Sequence, residues 1–146
     1  MERADIPFLP ATELARQIEQ KQVSPVEVVE AYQERIERLD PQLNAYLIVC
    51  HDEARQAARE AEHAIARGQY RGPLHGIPFA AKDQLYTKGI RTTGGSPIFE
   101  HFVPDEDATV ITKLKAAGAN DQVLHRIMVD NPRRFLAFVP KRPRKK

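Results

Sequence analysis

The sequence predicts an α/β protein in which helices come first and a strand, a loop and a further helix follow. Apolar residues recur at helical spacing through the first half of the chain, above all within residues 24–39 and 52–67. Turn residues at positions 71–73 then lead into a short apolar run without polar alternation. This order of elements is typical of the α/β class.

Two of the helices are predicted from spacing alone. Leu14 and Ile18 lie four residues apart, which places them on one face of a short helix within residues 11–20. A second segment is rich in alanine, and Gly68 follows it as expected after a helix end. Its apolar residues fall on one narrow face, where the small alanines permit close packing: Ala54, Ala57, Ala58, Ala61, Ala64 and Ile65.

The helix between these two has a defined start. Ser24-Pro25-Val26-Glu27 is a capping box, because the serine hydroxyl accepts a free backbone N–H and Glu27 reaches back to the cap. Pro25 suits the first helical position, where no N–H is needed. We expect this helix to end at Asp40, since the proline that follows disfavours helical geometry in the residue before it.

The strands are harder to assign from the sequence. Residues 44–50 are short, apolar and partly β-branched, so they form either a strand or a buried lead into the next helix. Residues 77–81 lack polar alternation, which predicts a strand covered on both faces. Pro78 lacks a backbone donor and therefore belongs at the start of that strand or on an edge.

A glycine- and threonine-rich loop at residues 92–97 precedes the last well-defined helix. We expect Asp107 to cap that helix and Gly118 to close it. Its apolar positions keep helical spacing: Val110, Ile111, Leu114 and Ala117.

The composition is that of one soluble domain of 146 residues, with 42% hydrophobic and 29% charged residues. Cys50 is the single cysteine, so no disulfide framework exists within the chain. No apolar run of about 18 residues and no signal-peptide pattern occur. We therefore expect a cytoplasmic protein that does not bind a membrane.

Three segments together resemble the amidase signature family of serine hydrolases. They are residues 72–83, which place a lysine at the end of an apolar strand, residues 92–96 and residues 103–110. The resemblance covers about residues 8–119. It implies the N-terminal helices and the first strand or strands of an amidase-signature-type mixed sheet, truncated after that point.

The resemblance also implies a Ser-Ser-Lys mechanism and a small-molecule amide substrate, with no cofactor. Lys82 matches the family's catalytic lysine, which in its unprotonated form takes the proton of a bridging serine. That serine activates the nucleophilic serine for attack on an amide carbonyl, and backbone N–H groups hold the oxyanion. The reaction proceeds through an acyl-enzyme.

The two catalytic serines would lie downstream of this resemblance, and the chain contains only Ser24 and Ser96. Ser24 is a helix cap, and we interpret Ser96 as structural. We therefore expect an inactive chain, in which Lys82 stays near water and pairs with a carboxylate, as in an ordinary solvated pair with Asp83. The alternative is a non-catalytic helical interaction module.

Residues 120–146 are predicted to be a separate segment, unrelated to residues 1–119. Residues 121–138 weakly resemble the C-terminal end of phosphotriesterase-like metal-dependent hydrolases but carry none of their metal-binding motifs. We expect this segment to add no strand, which would leave a sheet edge open to self-association. Five basic residues near the end form a solvated tail rather than a specific nucleic-acid site: Lys141, Arg142, Arg144, Lys145 and Lys146.

Overall fold

The computed structural model describes residues 2–119 and the backbone of residues 124–127. The α-helices within these limits are α1 (Ala11–Glu19), α2 (Pro25–Leu43), α3 (His51–Ala66) and α4 (Thr109–Ala116). The strands are β1 (Tyr46–Val49), β2 (Phe79–Lys82) and β3 (Leu124–Ile127), and 3-10 helices span Arg3–Phe8 and Pro97–Phe99. Among these helices, none is both long enough and apolar enough to cross a membrane.

The capping box at the start of α2 is confirmed. Ser24 Oγ accepts a hydrogen bond from the backbone N–H of Glu27 at 3.1 Å, and the Glu27 carboxylate accepts from the backbone N–H of Ser24 at 2.8 Å. Pro25 occupies the first helical position. Two N–H groups that no helical carbonyl can reach are thus satisfied by side chains.

The predicted end of α2 at Asp40 is wrong, because the helix continues through Pro41 to Leu43. The restriction that proline places on the preceding residue is a preference, and local bonds outweigh it here. The Asp40 carboxylate accepts hydrogen bonds from the backbone N–H groups of Ala45 and Tyr46, at 2.7 and 3.1 Å. These bonds fix the turn that leads from α2 into β1.

The core lies among the first three helices. Leu14 and Ile18 of α1 are buried in one cluster with Val28 of α2 and Ile65 of α3. The alanine face of α3 packs in a second cluster against Val29 of α2, as its small residues predict. Apolar burial of this kind is the main favourable contribution to folding.

The strands form one mixed sheet in the order β1-β3-β2. β3 pairs antiparallel with β1 and parallel with β2, where Phe79 lies opposite Leu124 and Lys82 opposite Ile127. Residues 44–50 thus contain a strand. The expectation that residues 120–146 add no strand is wrong, since β3 occupies the centre of the sheet.

β2 is buried on one face only. Ala81 packs with Ile111 of α4, whereas Ala80 and Lys82 are exposed. The prediction of a strand covered on both faces is therefore wrong for the part of the chain that the structure describes. Pro78 immediately precedes the strand, as its missing donor requires.

Asp107 does not cap α4, contrary to the prediction. Ala108 is at the cap position, and the Asp107 carboxylate instead accepts hydrogen bonds from the backbone N–H of Lys88, at 2.8 Å, and from Lys115 Nζ, at 2.5 Å. Burial favours the neutral acid, but the bonds to Lys115 and Lys88 outweigh it and lower the pKa of Asp107. The side chain thus joins α4 to the loop after β2.

Candidate active site

Lys82 is the last residue of β2, and its side chain is exposed. The predicted placement at the C-terminal end of a strand is confirmed. Within residues 2–119, the Lys82 ammonium has no hydrogen-bond or ion-pair partner, so the expected pairing with a carboxylate is not found there. Sites in α/β proteins gather at this end of the strands, and Lys82 is available to groups that approach it from outside.

The next residue, Asp83, is only 2% exposed, which overturns the expected solvated pair with Lys82. Its carboxylate accepts hydrogen bonds from the backbone N–H of Thr93 at 3.1 Å and from the Thr93 hydroxyl at 2.5 Å. It also accepts from the N–H of Gly95 at 3.3 Å, and its backbone carbonyl accepts from Gly94 at 3.1 Å. Asp83 therefore anchors the glycine-rich loop to the end of β2.

Both serines of the chain accept hydrogen bonds from backbone N–H groups. Ser24 caps α2, and Ser96 Oγ accepts a hydrogen bond from the N–H of Ile98 at 3.3 Å, at the start of the second 3-10 helix. An Oγ engaged as a cap is oriented toward the backbone of its own chain segment. Neither hydroxyl is held as a nucleophile beside Lys82 by any bond within the described residues.

His75 lies in the turn that leads into β2 and is fully buried. Its Nδ1 accepts a hydrogen bond from the backbone N–H of Arg71 at 3.2 Å, and its ring lies 5.9 Å from that of Tyr70. Burial, and secondly the charge of Arg71, lower the pKa of His75. This histidine is a neutral part of the fold, and its Nδ1 cannot carry a proton while it accepts that bond.

A cleft of about 240 Å³ opens beside the anchored loop. Its lining includes the polar residues Asp83, Thr93 and Ser96 and a group of three aromatic residues, Tyr86, Phe99 and Phe102. In that group, the ring centroids of Tyr86 and Phe102 are 5.3 Å apart and those of Phe99 and Phe102 are 6.0 Å apart. The sequence signal for this cleft is weak. It consists of three aromatic residues, Tyr86, Phe99 and Phe102, that lie between the predicted strand and the last helix.

The site residues fall within a segment that a family model matches. The sequence model of the Amidase family covers residues 27–121, more than half of the chain. The chain belongs to the amidase family. Lys82, Asp83 and the anchored loop all lie inside the matched residues, and the predicted resemblance to amidases is confirmed.

A curated relative agrees with this assignment. The chain is 46% identical over 112 residues to one subunit of the glutamyl-tRNA(Gln) amidotransferase of Carboxydothermus hydrogenoformans, a match that covers 77% of this chain and 23% of that protein. The chain thus spans about a quarter of the length of this relative. The resemblance of residues 121–138 to phosphotriesterase-like hydrolases gains no support from the comparisons, and apart from β3 those residues lie outside the described ones.

Solved structures show the same fold. The peptide amidase of Stenotrophomonas maltophilia matches with a TM-score of 0.72 at 28% identity, over 84% of this chain and 25% of that one. A bacterial aryl acylamidase of the amidase signature family matches with the same TM-score at 31% identity, over 82% and 25%. The α/β class and the amidase-type mixed sheet that the sequence predicts are thereby confirmed.

Proposed function

We propose that this chain provides the lysine base of an amidase that hydrolyses carbon–nitrogen bonds in small amides. The observation that carries the proposal is Lys82, exposed at the end of β2 and without a partner among residues 2–119. It lies within the residues that match the Amidase family. The hydrogen bonds from Thr93 and Gly95 to Asp83 fix the backbone immediately after Lys82.

The proposed chemistry needs a neutral lysine and two serines. Lys82, once enclosed and unprotonated, takes the proton of a bridging serine, and this serine deprotonates the nucleophile that attacks the amide carbonyl. Enclosure matters because burial in an apolar site favours the neutral form of a lysine. Ser24 and Ser96 are engaged as caps, so both catalytic serines come from outside these 146 residues. The isolated chain is therefore inactive.

The substrate is proposed from the names of the similar structures, a peptide amidase and an aryl acylamidase. Both names specify an amide bond. Acyl transfer by serine and lysine requires no cofactor. A reducing cytoplasmic setting fits the single, buried Cys50.

A chimeric enzyme tests the role of Lys82. Residues 1–119 of this chain replace the matching segment of the Carboxydothermus protein, and hydrolysis is measured on a panel of simple amides and aryl esters. We expect turnover that Lys82→Ala reduces by about 10²–10⁴-fold, the usual contribution of a general base. Lys88→Ala, at an exposed lysine in the same region, serves as the control and leaves turnover unchanged.

The isolated 146-residue chain is assayed in parallel, and it should show no turnover that depends on Lys82. Turnover that is lost in both Lys82→Ala and Ser96→Ala would show that Ser96 is a nucleophile after all. A folded chimera whose activity survives Lys82→Ala would favour the alternative, a non-catalytic helical interaction module. Self-association through the outer edge of β2 is a separate proposal, supported by its having a strand partner on one side only within the described sheet.

A further inference from the structure

Exposed apolar side chains are concentrated in one part of the described structure. The described residues include seven large apolar side chains that are exposed, and five of these lie within residues 86–110. Ile98 is 87% exposed and Phe99 is 50% exposed. These five are Tyr86, Ile98, Phe99, Val103 and Val110. Soluble monomers seldom leave a contiguous apolar surface of this kind uncovered unless it binds something.

We define the aromatic patch as Tyr86, Ile98, Phe99, Phe102 and Val103. The ring of Phe102 lies against those of both Tyr86 and Phe99, as described for the cleft. The backbone beneath it is fixed, because the N–H of Thr92 donates to the carbonyl of Phe102 at 2.8 Å and the N–H of Ala108 donates to that of Tyr86 at 2.8 Å. The aromatic patch is therefore a preformed surface rather than a set of loose side chains.

The aromatic patch is also joined to the strand end that carries Lys82. Its cleft is lined by Asp83 and Thr93, the pair that anchors the loop to the end of β2. A protein segment that binds the aromatic patch would therefore lie close to the end of β2. Such a segment would also enclose the exposed side chain of Lys82, and burial favours the neutral form of a lysine.

We propose that the aromatic patch binds the serine-bearing part of an amidase domain. The inference rests on the proposed function, and the lengths of the relatives support the choice of partner. The chain corresponds to 23% of the Carboxydothermus protein and to 25% of the peptide amidase chain. In those proteins about three quarters of the chain is left to pack against the matched segment, and the patch offers it four of the seven large exposed apolar residues.

Co-expression tests this proposal. The full 146-residue chain is produced together with a tagged polypeptide that comprises the Carboxydothermus sequence downstream of its matched segment. We expect the two to purify together in equal amounts, and Phe99→Asp or Ile98→Asp to reduce the recovered chain about tenfold or more, as the loss of a buried anchor would. Leu43→Asp is the matched control, since Leu43 is 54% exposed and lies on α2, outside the patch. It should leave recovery unchanged.

The outcomes separate this proposal from the function of Lys82. Failure to purify together, or recovery that patch variants do not reduce, overturns the proposed binding surface. The same holds if sedimentation shows that the patch joins two copies of this chain, in a dimer that Phe99→Asp dissociates. If the two polypeptides bind but do not hydrolyse amides, the proposed binding surface is supported and the catalytic role of Lys82 is not. If the covalent chimera is active but the separate polypeptides do not bind, the catalytic role of Lys82 is supported and the binding surface is overturned.

Discussion

The carboxylate of Asp83 receives two hydrogen bonds from Thr93, one from its backbone N–H and one from its hydroxyl. The two residues are ten positions apart in the chain, and both side chains are buried. A buried carboxylate is costly unless donors surround it. Here, Thr93 and Gly95 supply those donors, so the charge and the loop stabilise each other.

Asp83→Asn should therefore destabilise the protein. The amide presents an NH₂ group where the wild-type carboxylate accepts N–H and O–H donors, and we expect a loss of about 2 kcal/mol in the free energy of unfolding. Urea unfolding measures this loss, and hydrogen exchange at Thr93 and Gly95 should accelerate. Asp105→Asn, at an exposed aspartate, is the control. Equal stability of the two variants would contradict the anchoring role.

Gly76 lies where the turn before β2 meets the start of α2. Its φ is +86°, and a Cβ there would lie 2.7 Å from Cγ of Pro25, closer than van der Waals contact allows. Gly76→Ala should cost about 1–2 kcal/mol from the left-handed backbone and a further 1–3 kcal/mol or so from overpacking.

The matched control for this substitution is Gly68→Ala. Gly68 has a similar φ of +78°, but no atom lies within 4 Å of the added Cβ. It should therefore show only the backbone cost, about 1–2 kcal/mol. Thermal or urea unfolding of both variants isolates the contact with Pro25, and equal losses would show that this contact tolerates a methyl group.

His75 should make stability depend on pH. Burial first, and the positive charge of Arg71 second, lower its pKa below the ordinary 6.5 in the folded state. The unfolded chain thus binds the proton more readily, so stability falls as the pH drops below about 6.5 toward the folded-state pKa. Above about pH 6.5 the contribution is constant.

His75→Asn provides the test, because asparagine retains an acceptor for the Arg71 N–H but does not titrate. Urea unfolding at about pH 7.5 and about pH 5.5, on either side of the ordinary histidine pKa, should show a smaller loss on acidification than in the wild type. His63→Asn, at an exposed histidine of α3, is the control and should preserve the wild-type difference. An unchanged difference in the His75 variant would refute the assignment.

Deleting residues 120–146 should disrupt the sheet, in contrast to the sequence-based expectation that this segment adds no strand. β3 lies between β1 and β2, so its removal takes away the hydrogen-bonded neighbour that each of them has in the described sheet. Far-UV circular dichroism should retain the helices, while the amides of residues 46–49 and 79–82 lose protection from exchange. Deleting residues 128–146 keeps β3 and is the control. Similar protection in the two truncated chains would show that β3 does not hold the sheet.

Local signals explain which parts of the fold the sequence can predict. The capping box at Ser24 and the alanine face of α3 act within a few residues, and both are found as predicted. The end of α2 differs from the prediction because the side chain of Asp40 accepts a hydrogen bond from Ala45, beyond the helix. The spacing of apolar residues within the helix does not predict such a bond. Asp107 is predicted to be a cap, but its partners lie 19 and 8 residues away.

The candidate site divides in the same way. Lys82 can be placed because an apolar run ends at it and a family motif surrounds it. The burial of Asp83 cannot be predicted, since it depends on Thr93 and Gly95 across a loop whose folding the sequence does not specify locally. The position of β3 escapes prediction because strand pairing is non-local and short apolar runs are ambiguous.

The central position of β3 also fixes when the sheet can form during synthesis. The first three helices, α1 to α3, leave the ribosome before β3, and the contacts among them involve only residues 11–66. β1 and β2 emerge without a common partner, because each pairs with residues 124–127. Within the described sheet, β1 and β2 therefore stay without a strand partner until Ile127 has left the ribosome, and in this interval a chaperone would find the most exposed backbone to bind.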